Sequence, residues 1–287
     1  MTADPVRIIA ADMELELLPD LGGSVGAFRA GGRDVLRPAD ADPESPLEAA
    51  GFPMLPFCGR IENGRFDWAG RQVALPPGLP PEPHAIHGQG WQRRWTVERH
   101  EANEAVLALE HPAGDWPWRY TARQHFRVDE LGLTLVLSLC NDSDTPMPAG
   151  MGWHPYFPAH DAMLQAETRR IYARGETGVP EAEDAPDAHA DLRNGRRVCD
   201  LDLDDVFRPG TRAVRIETPA NRWTLAGDTT FGWLTVYTPP GESFFCVEPV
   251  SHVPNAVRTT DPAARGLRTL APGETLSGTI TLQRTAS

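Results

Sequence analysis

The chain has 287 residues, 40% of them hydrophobic, and a formal net charge of −13. That excess of acid repels phosphate backbones and anionic lipid, so neither nucleic acid nor a membrane is an expected partner. All 27 basic residues are arginine, which excludes a lysine Schiff base, a lysine-held pyridoxal cofactor and a Walker A loop.

A chain of this length makes one large β domain or two ordinary ones. No strong linker divides it, so residues 1–287 read as one domain with its core over about 13–282. The start of the chain, Met1 to Ala11, lacks a basic stretch followed by a long apolar run, and the cytoplasm is the expected location. Met13 to Leu17 alternates apolar and acidic residues, the period of a half-buried strand. Gly22-Gly-Ser-Val-Gly26 is not a phosphate-binding Gly-x-Gly-x-x-Gly and reads as a turn between strands.

Ala39 to Ala49 is an acidic, proline-containing loop. Gly51 to Gly64 carries Arg60 behind a run of apolar residues and prolines. A guanidinium on so rigid a segment is either aimed at a ligand or held in a structural ion pair. Pro76 to Pro83 is expected to be extended and stiff. Pro83-His-Ala-Ile-His-Gly-Gln-Gly-Trp91 follows. His84 and His87 point to opposite faces if this segment is extended, and the glycines after His87 let the backbone pass close to a ligand.

Ala105 to Leu109 is a compact apolar run, and Leu131 to Cys140 has a clear period of two. The segment Met147 to Phe157 places His154 among aromatic residues and before a proline. Aromatic faces suit the C–H faces of a sugar ring, but a hydrogen-bonded core histidine is the commoner occupant of such a place. Ala162 to Glu167 is a short helical candidate, and Glu181 to Asp191 an acidic, solvated connection. Trp233 to Tyr237, Ser243 to Val247 and Leu276 to Leu282 have strand character. Glu248 ends an apolar run, where a carboxylate needs a purpose or a partner, and burial would raise its proton affinity toward that of a useful base. The alternative is a strand-end glutamate paired with an arginine such as Arg60. The four cysteines are far apart and read as free thiols.

Short strands punctuated by 28 prolines and 26 glycines argue for an all-β sandwich with few short helices rather than a parallel α/β sheet.

Four segments in this order carry a resemblance. Pro56 to Ile61 fits Pro-Phe-x-x-Arg-Ile, Ala85 to Gly88 fits Ala-Ile-His-Gly, Gly152 to Phe157 is Gly-Trp-His-Pro-Tyr-Phe, and Val247 to Pro249 is Val-Glu-Pro. Together they resemble the aldose 1-epimerase (galactose mutarotase-like) family, over about Met13 to Leu282. The resemblance implies a single large β-sandwich, the galactose mutarotase-like supersandwich, with its site on a concave face. It implies a small sugar as substrate and Glu248 as general base toward the anomeric hydroxyl. His154 is implied as general acid toward the ring oxygen, with Glu248 ionised while His154 is protonated. His87 and Arg60 are implied as groups that hold and polarise the reacting oxygens. Asp204, or its neighbour Asp205, is implied to hold sugar hydroxyls, and His84 and Trp91 to lie among the substrate contacts. This chemistry calls for neither cofactor nor metal, and it leaves the oligomeric state open.

Two positions depart from the family pattern. Gly59 stands where asparagine is common, and His84 where many relatives carry a different polar residue. Three other readings use the same residues. One is a sugar-binding or regulatory domain without turnover. Another is a hexose-6-phosphate epimerase using Arg93, Arg94 and Arg119. The last is a metal site built from His87, His154 and Glu248.

Overall fold

The computed structural model describes residues 5–219 and 221–285. The expected all-β sandwich is what forms. Among the described residues, eighteen strands join one hydrogen-bonded sheet, three two-stranded ribbons stand beside it, and the only helical elements are five short 3-10 turns. No helix among the described residues is long and apolar enough to cross a membrane.

The predicted strands fall where their alternation places them. Met13–Leu18 pairs with Ser24–Ala30 across the glycine-containing turn. Gly132–Asn141 lies between Tyr120–Asp129 and the C-terminal strand Thr275–Arg284. Its side chains alternate buried and half-buried, as a strand with one face on the core requires.

Three strands carry the candidate site, Gly152–Pro158, Trp233–Tyr237 and Phe244–Val250, and the first and last of them are buried on both faces. One face sends Trp153, Phe157, Leu234, Val236, Phe245 and Val247 into the main core. The other sends Tyr156, Trp233, Cys246 and Val250 into a second apolar cluster, with Phe52, Trp91, Tyr172 and Val206. Burial on both sides explains why these stretches read as nearly continuous apolar runs.

Three sequence expectations are corrected. Ala162 to Glu167 is not helical, because it enters the long strand Met163–Arg174. Its Ala, Leu, Gln and Glu favour helix locally, but pairing with Asp204–Glu217 overrides that weak preference. Pro76 to Pro83 does not run extended. Gly78 N–H donates to the His84 carbonyl and Glu82 N–H to that of Leu79, so the segment doubles back. The acidic connection begins as a strand, Pro180–Asp184, paired to Met163–Arg174.

Candidate active site

Strand register assembles the site. Gly152 lies opposite Val250 and Tyr156 opposite Cys246, so His154 comes opposite Glu248. His154 also pairs with Phe52, Glu248 with Thr235, and Thr235 stands across the next strand from Val206, itself opposite Tyr172. One row of side chains, Phe52–His154–Glu248–Thr235–Val206–Tyr172, therefore crosses six strands on one face. The adjacent row runs Tyr156–Cys246–Tyr237–Asp204. Residues directly opposite in antiparallel strands present side chains to the same face within contact range.

His154 Nε2 lies 3.3 Å from Glu248 Oε1, with side chains only 9% and 4% exposed. The imidazole is stacked on Phe52 at 4.5 Å and packs against Tyr156 at 4.8 Å and His87 at 5.3 Å. Its Nδ1 is buried and has no hydrogen-bond partner among the described residues. Burial, reinforced by the nearby Asp204 charge, pushes the Glu248 carboxyl well above the usual carboxylate range. Burial likewise pushes His154 well down. The two groups touch, and the apolar surroundings work against each charge.

His87 does not continue an extended segment, because its φ is +57°. Its Nδ1 accepts the Gly59 N–H at 3.2 Å, so the proton of the neutral ring resides on Nε2. Burial, with the nearby His154 and Arg60, pushes it toward that neutral form. The glycine expected to pass a ligand passes backbone instead. A Cβ on Gly88 would stand 2.0 Å from the Leu55 carbonyl oxygen. Gly59 has a comparable reason to lack a side chain: its φ is +65° and a Cβ would meet Pro254 at 2.5 Å.

Arg60 makes a two-pronged bond to Glu82, at 3.0 and 3.3 Å, and faces Asp204 at 3.5 Å. Burial opposes its charge, but Glu82 and Asp204 outweigh burial and hold the guanidinium protonated. Asp204 also meets Arg174 at 3.5 Å. Asp205 instead accepts the Arg174 backbone N–H at 2.7 Å. Arg60, Glu82, His84, Arg174 and Asp204 border a cavity of about 770 Å³, and Asp205 does not. His84 has both ring nitrogens engaged, Nδ1 accepting from Asn63 N–H and Nε2 donating to the Thr177 carbonyl. It ties two loops together at the cavity wall. Trp91 is buried behind Phe52 at 5.2 Å, its indole N–H held by the Gly88 carbonyl.

Among the described residues, the donor atoms of His154, Cys246 and Glu248 gather as a group of three suited to a metal ion, all within 4.8 Å of one another. Cys246 stands there in place of the expected His87. Period two places Cys246 on the same face as Glu248, a signal the sequence carries. Arg37 gave no such signal. Its guanidinium lies 4.0 Å over Tyr156 and 4.9 Å from Phe244, and donates to the Leu47 and Ala49 carbonyls. His252, four residues beyond Glu248, accepts the Cys58 N–H on Nε2 and donates from Nδ1 to the Val253 carbonyl.

An imidazole and a carboxylate in contact and able to give and take a proton, beside a cavity with carboxylate and guanidinium walls, suit acid–base chemistry on a polyhydroxylated ligand. Comparison with known proteins agrees in kind. Residues 11–283 match the family model described as aldose 1-epimerase. The uncharacterized Escherichia coli protein YphB is 29% identical over 276 residues, covering 92% of this chain and 93% of its own. A crystal structure from Escherichia coli K12 with a provisional aldose 1-epimerase assignment superposes with a TM-score of 0.88 at 25% identity, covering 98% of this chain and 99% of the other. A galactose mutarotase-like protein from Clostridium acetobutylicum reaches the same TM-score at 19% identity, covering 98% and 95%.

Proposed function

The chain belongs to the aldose 1-epimerase family, and on that premise we propose that it interconverts the α and β anomers of an unphosphorylated aldose by acid–base ring opening. The observation that carries this reading is the buried His154–Glu248 contact at 3.3 Å.

Glu248 takes the proton of the anomeric hydroxyl, the bond from the anomeric carbon to the ring oxygen breaks, and His154 delivers its proton to that ring oxygen. The open aldehyde turns about its C1–C2 bond, and the same transfers in reverse close the ring with the other configuration. The two oxygens share one carbon, so adjacent acid and base groups suit them. General acid–base catalysis of this kind contributes roughly 10²–10⁴-fold. The Nε2–H of neutral His87 serves as a donor to a reacting oxygen, and Asp204 and Arg60 hold hydroxyl groups in the cavity. A phosphorylated substrate finds less support. Arg94 is paired with Asp20 and Arg119 with the Asp142 carbonyl, and Arg93, Arg94 and Arg119 do not border the cavity.

The test is magnetisation exchange between anomers by NMR over a panel of free sugars, with glucose 6-phosphate alongside. The parent is expected to accelerate exchange of at least one free sugar and His154→Asn to lose most of that acceleration. Saturable binding with no acceleration across the panel would replace the epimerase with a sugar-binding protein.

A further inference from the structure

We infer that His154, Cys246 and Glu248 form a binding site for a zinc-class divalent cation, and that its occupancy switches off proton transfer at the site. The three donors are an imidazole, a thiol and a carboxylate, all buried and all within 4.8 Å of one another. Zinc takes this mixture at about 2.0–2.3 Å in a tetrahedron, which sets the donor atoms about 3.3–3.6 Å apart. His154 and Glu248 already stand at 3.3 Å, so only the thiol has to close in, from no more than 4.8 Å. The strands make that arrangement rigid. Cys246 and Glu248 are two residues apart on one face of Phe244–Val250, and His154 projects from the neighbouring strand opposite.

The donor chemistry selects the metal. A thiolate with an imidazole favours zinc or cobalt over magnesium or calcium, which take oxygen ligands. Three protein ligands leave a fourth position open, as in zinc sites that bind small molecules. Here two of the ligands are the proposed acid and base. A bound cation occupies the lone pairs that must accept and release protons, so it inhibits. Cys246 has no part in the proposed proton transfers, and a metal site gives a buried thiol at this position a chemical use. The inhibitory half of this inference rests on the epimerase reading, whereas the binding half stands without it.

The experiment titrates the metal-free full-length protein with Co²⁺, a spectroscopic substitute for Zn²⁺. One equivalent is expected to raise a near-ultraviolet thiolate-to-cobalt band that Zn²⁺ then displaces. Cys246→Ala should lose the band, and Cys246→Ser should too if the alanine variant does not fold. Replacing the more accessible Cys140 and Cys199 together by serine should keep it. In the anomer-exchange assay Zn²⁺ should inhibit the parent. Measured against its own metal-free rate, Cys246→Ala should need at least roughly tenfold more Zn²⁺ for half-inhibition, since losing a direct ligand costs no less than losing an outer partner. Absence of the band, or its persistence in Cys246→Ala, overturns the site. A band with an exchange rate indifferent to Zn²⁺ overturns the inhibition, and a band in a protein without exchange activity keeps the site and removes the epimerase reading.

Discussion

His252 couples acidity to stability in a way that can be isolated by one substitution. Its Nε2 accepts the Cys58 N–H at 3.0 Å and its Nδ1 faces the Val253 carbonyl at 2.8 Å, so the neutral ring is fully satisfied. Protonation would place a second N–H against the Cys58 donor. The side chain is also fully buried, and burial lowers its pKa from 6.5 to about 4. A group with a depressed folded pKa contributes stability that is present above its unfolded value and lost as pH falls through the folded one. The window therefore runs from about pH 6.5 down to about pH 4, and at about 1.4 kcal/mol per pH unit the loss at pH 4 is about 3 kcal/mol. His252→Gln keeps an oxygen able to accept from Cys58 but cannot titrate. At pH 7 the variant should be the less stable protein, because the ring packs tightly beneath Gly150. Urea unfolding of both proteins at pH 7, 6, 5 and 4 should show that gap closing by about 3 kcal/mol. The remaining titrating groups are common to both proteins and cancel in the difference. A gap constant to within about 0.5 kcal/mol over that range would refute the argument.

Three further substitutions bear on the site. Glu248→Gln should slow anomer exchange by roughly 10²–10⁴-fold. The same change should raise stability at neutral pH, since a carboxyl whose folded pKa is raised costs stability as pH rises above its unfolded value of about 4.3. Thermal melts at pH 7 and pH 4 check the sign, with the advantage vanishing at the lower pH. Asp204→Asn should reduce kcat/KM by roughly 10–100-fold, about 1.5–3 kcal/mol for a hydrogen bond to a charged group. Most of that change is expected in KM, and steady-state kinetics separate it from kcat. Gly59→Ala should cost about 1–3 kcal/mol, because φ is +65° and Pro254 occupies the space of a Cβ; an unchanged unfolding midpoint would refute this.

Much of the fold was legible because strands buried on one face repeat with period two, as in Gly132–Asn141. The failures occurred where local preference opposed tertiary pairing. Met163–Arg174 carries helix-forming residues at its start and becomes a strand only through its partner Asp204–Glu217. The four motif segments were legible one by one, yet their relation lay in register. Nothing local says that His154 stands opposite Glu248, or that Cys58 leans on His252 across 194 residues of chain. Arg37 was illegible for the same reason, since its aromatic partners come from two distant strands.

Burial of the acid–base pair gains a purpose once proton positions are followed through the proposed reaction. Ring opening begins with an ionised Glu248 and a protonated His154 and ends with both neutral, because one proton arrives at the carboxylate as another leaves the imidazolium. The apolar setting of Phe52, Tyr156 and Cys246 opposes both charges, so it favours the state in which the ring is open. In water the open aldehyde has no such support. The same surroundings would trap the aldehyde if they were wholly apolar. Arg60, at the cavity's edge, works against that by favouring an ionised Glu248, whereas Asp204 acts in the same direction as burial. Two strands buried on both faces thus supply more than rigidity. They set a medium in which the intermediate, rather than either cyclic anomer, is the form best matched to the protonation state of the protein.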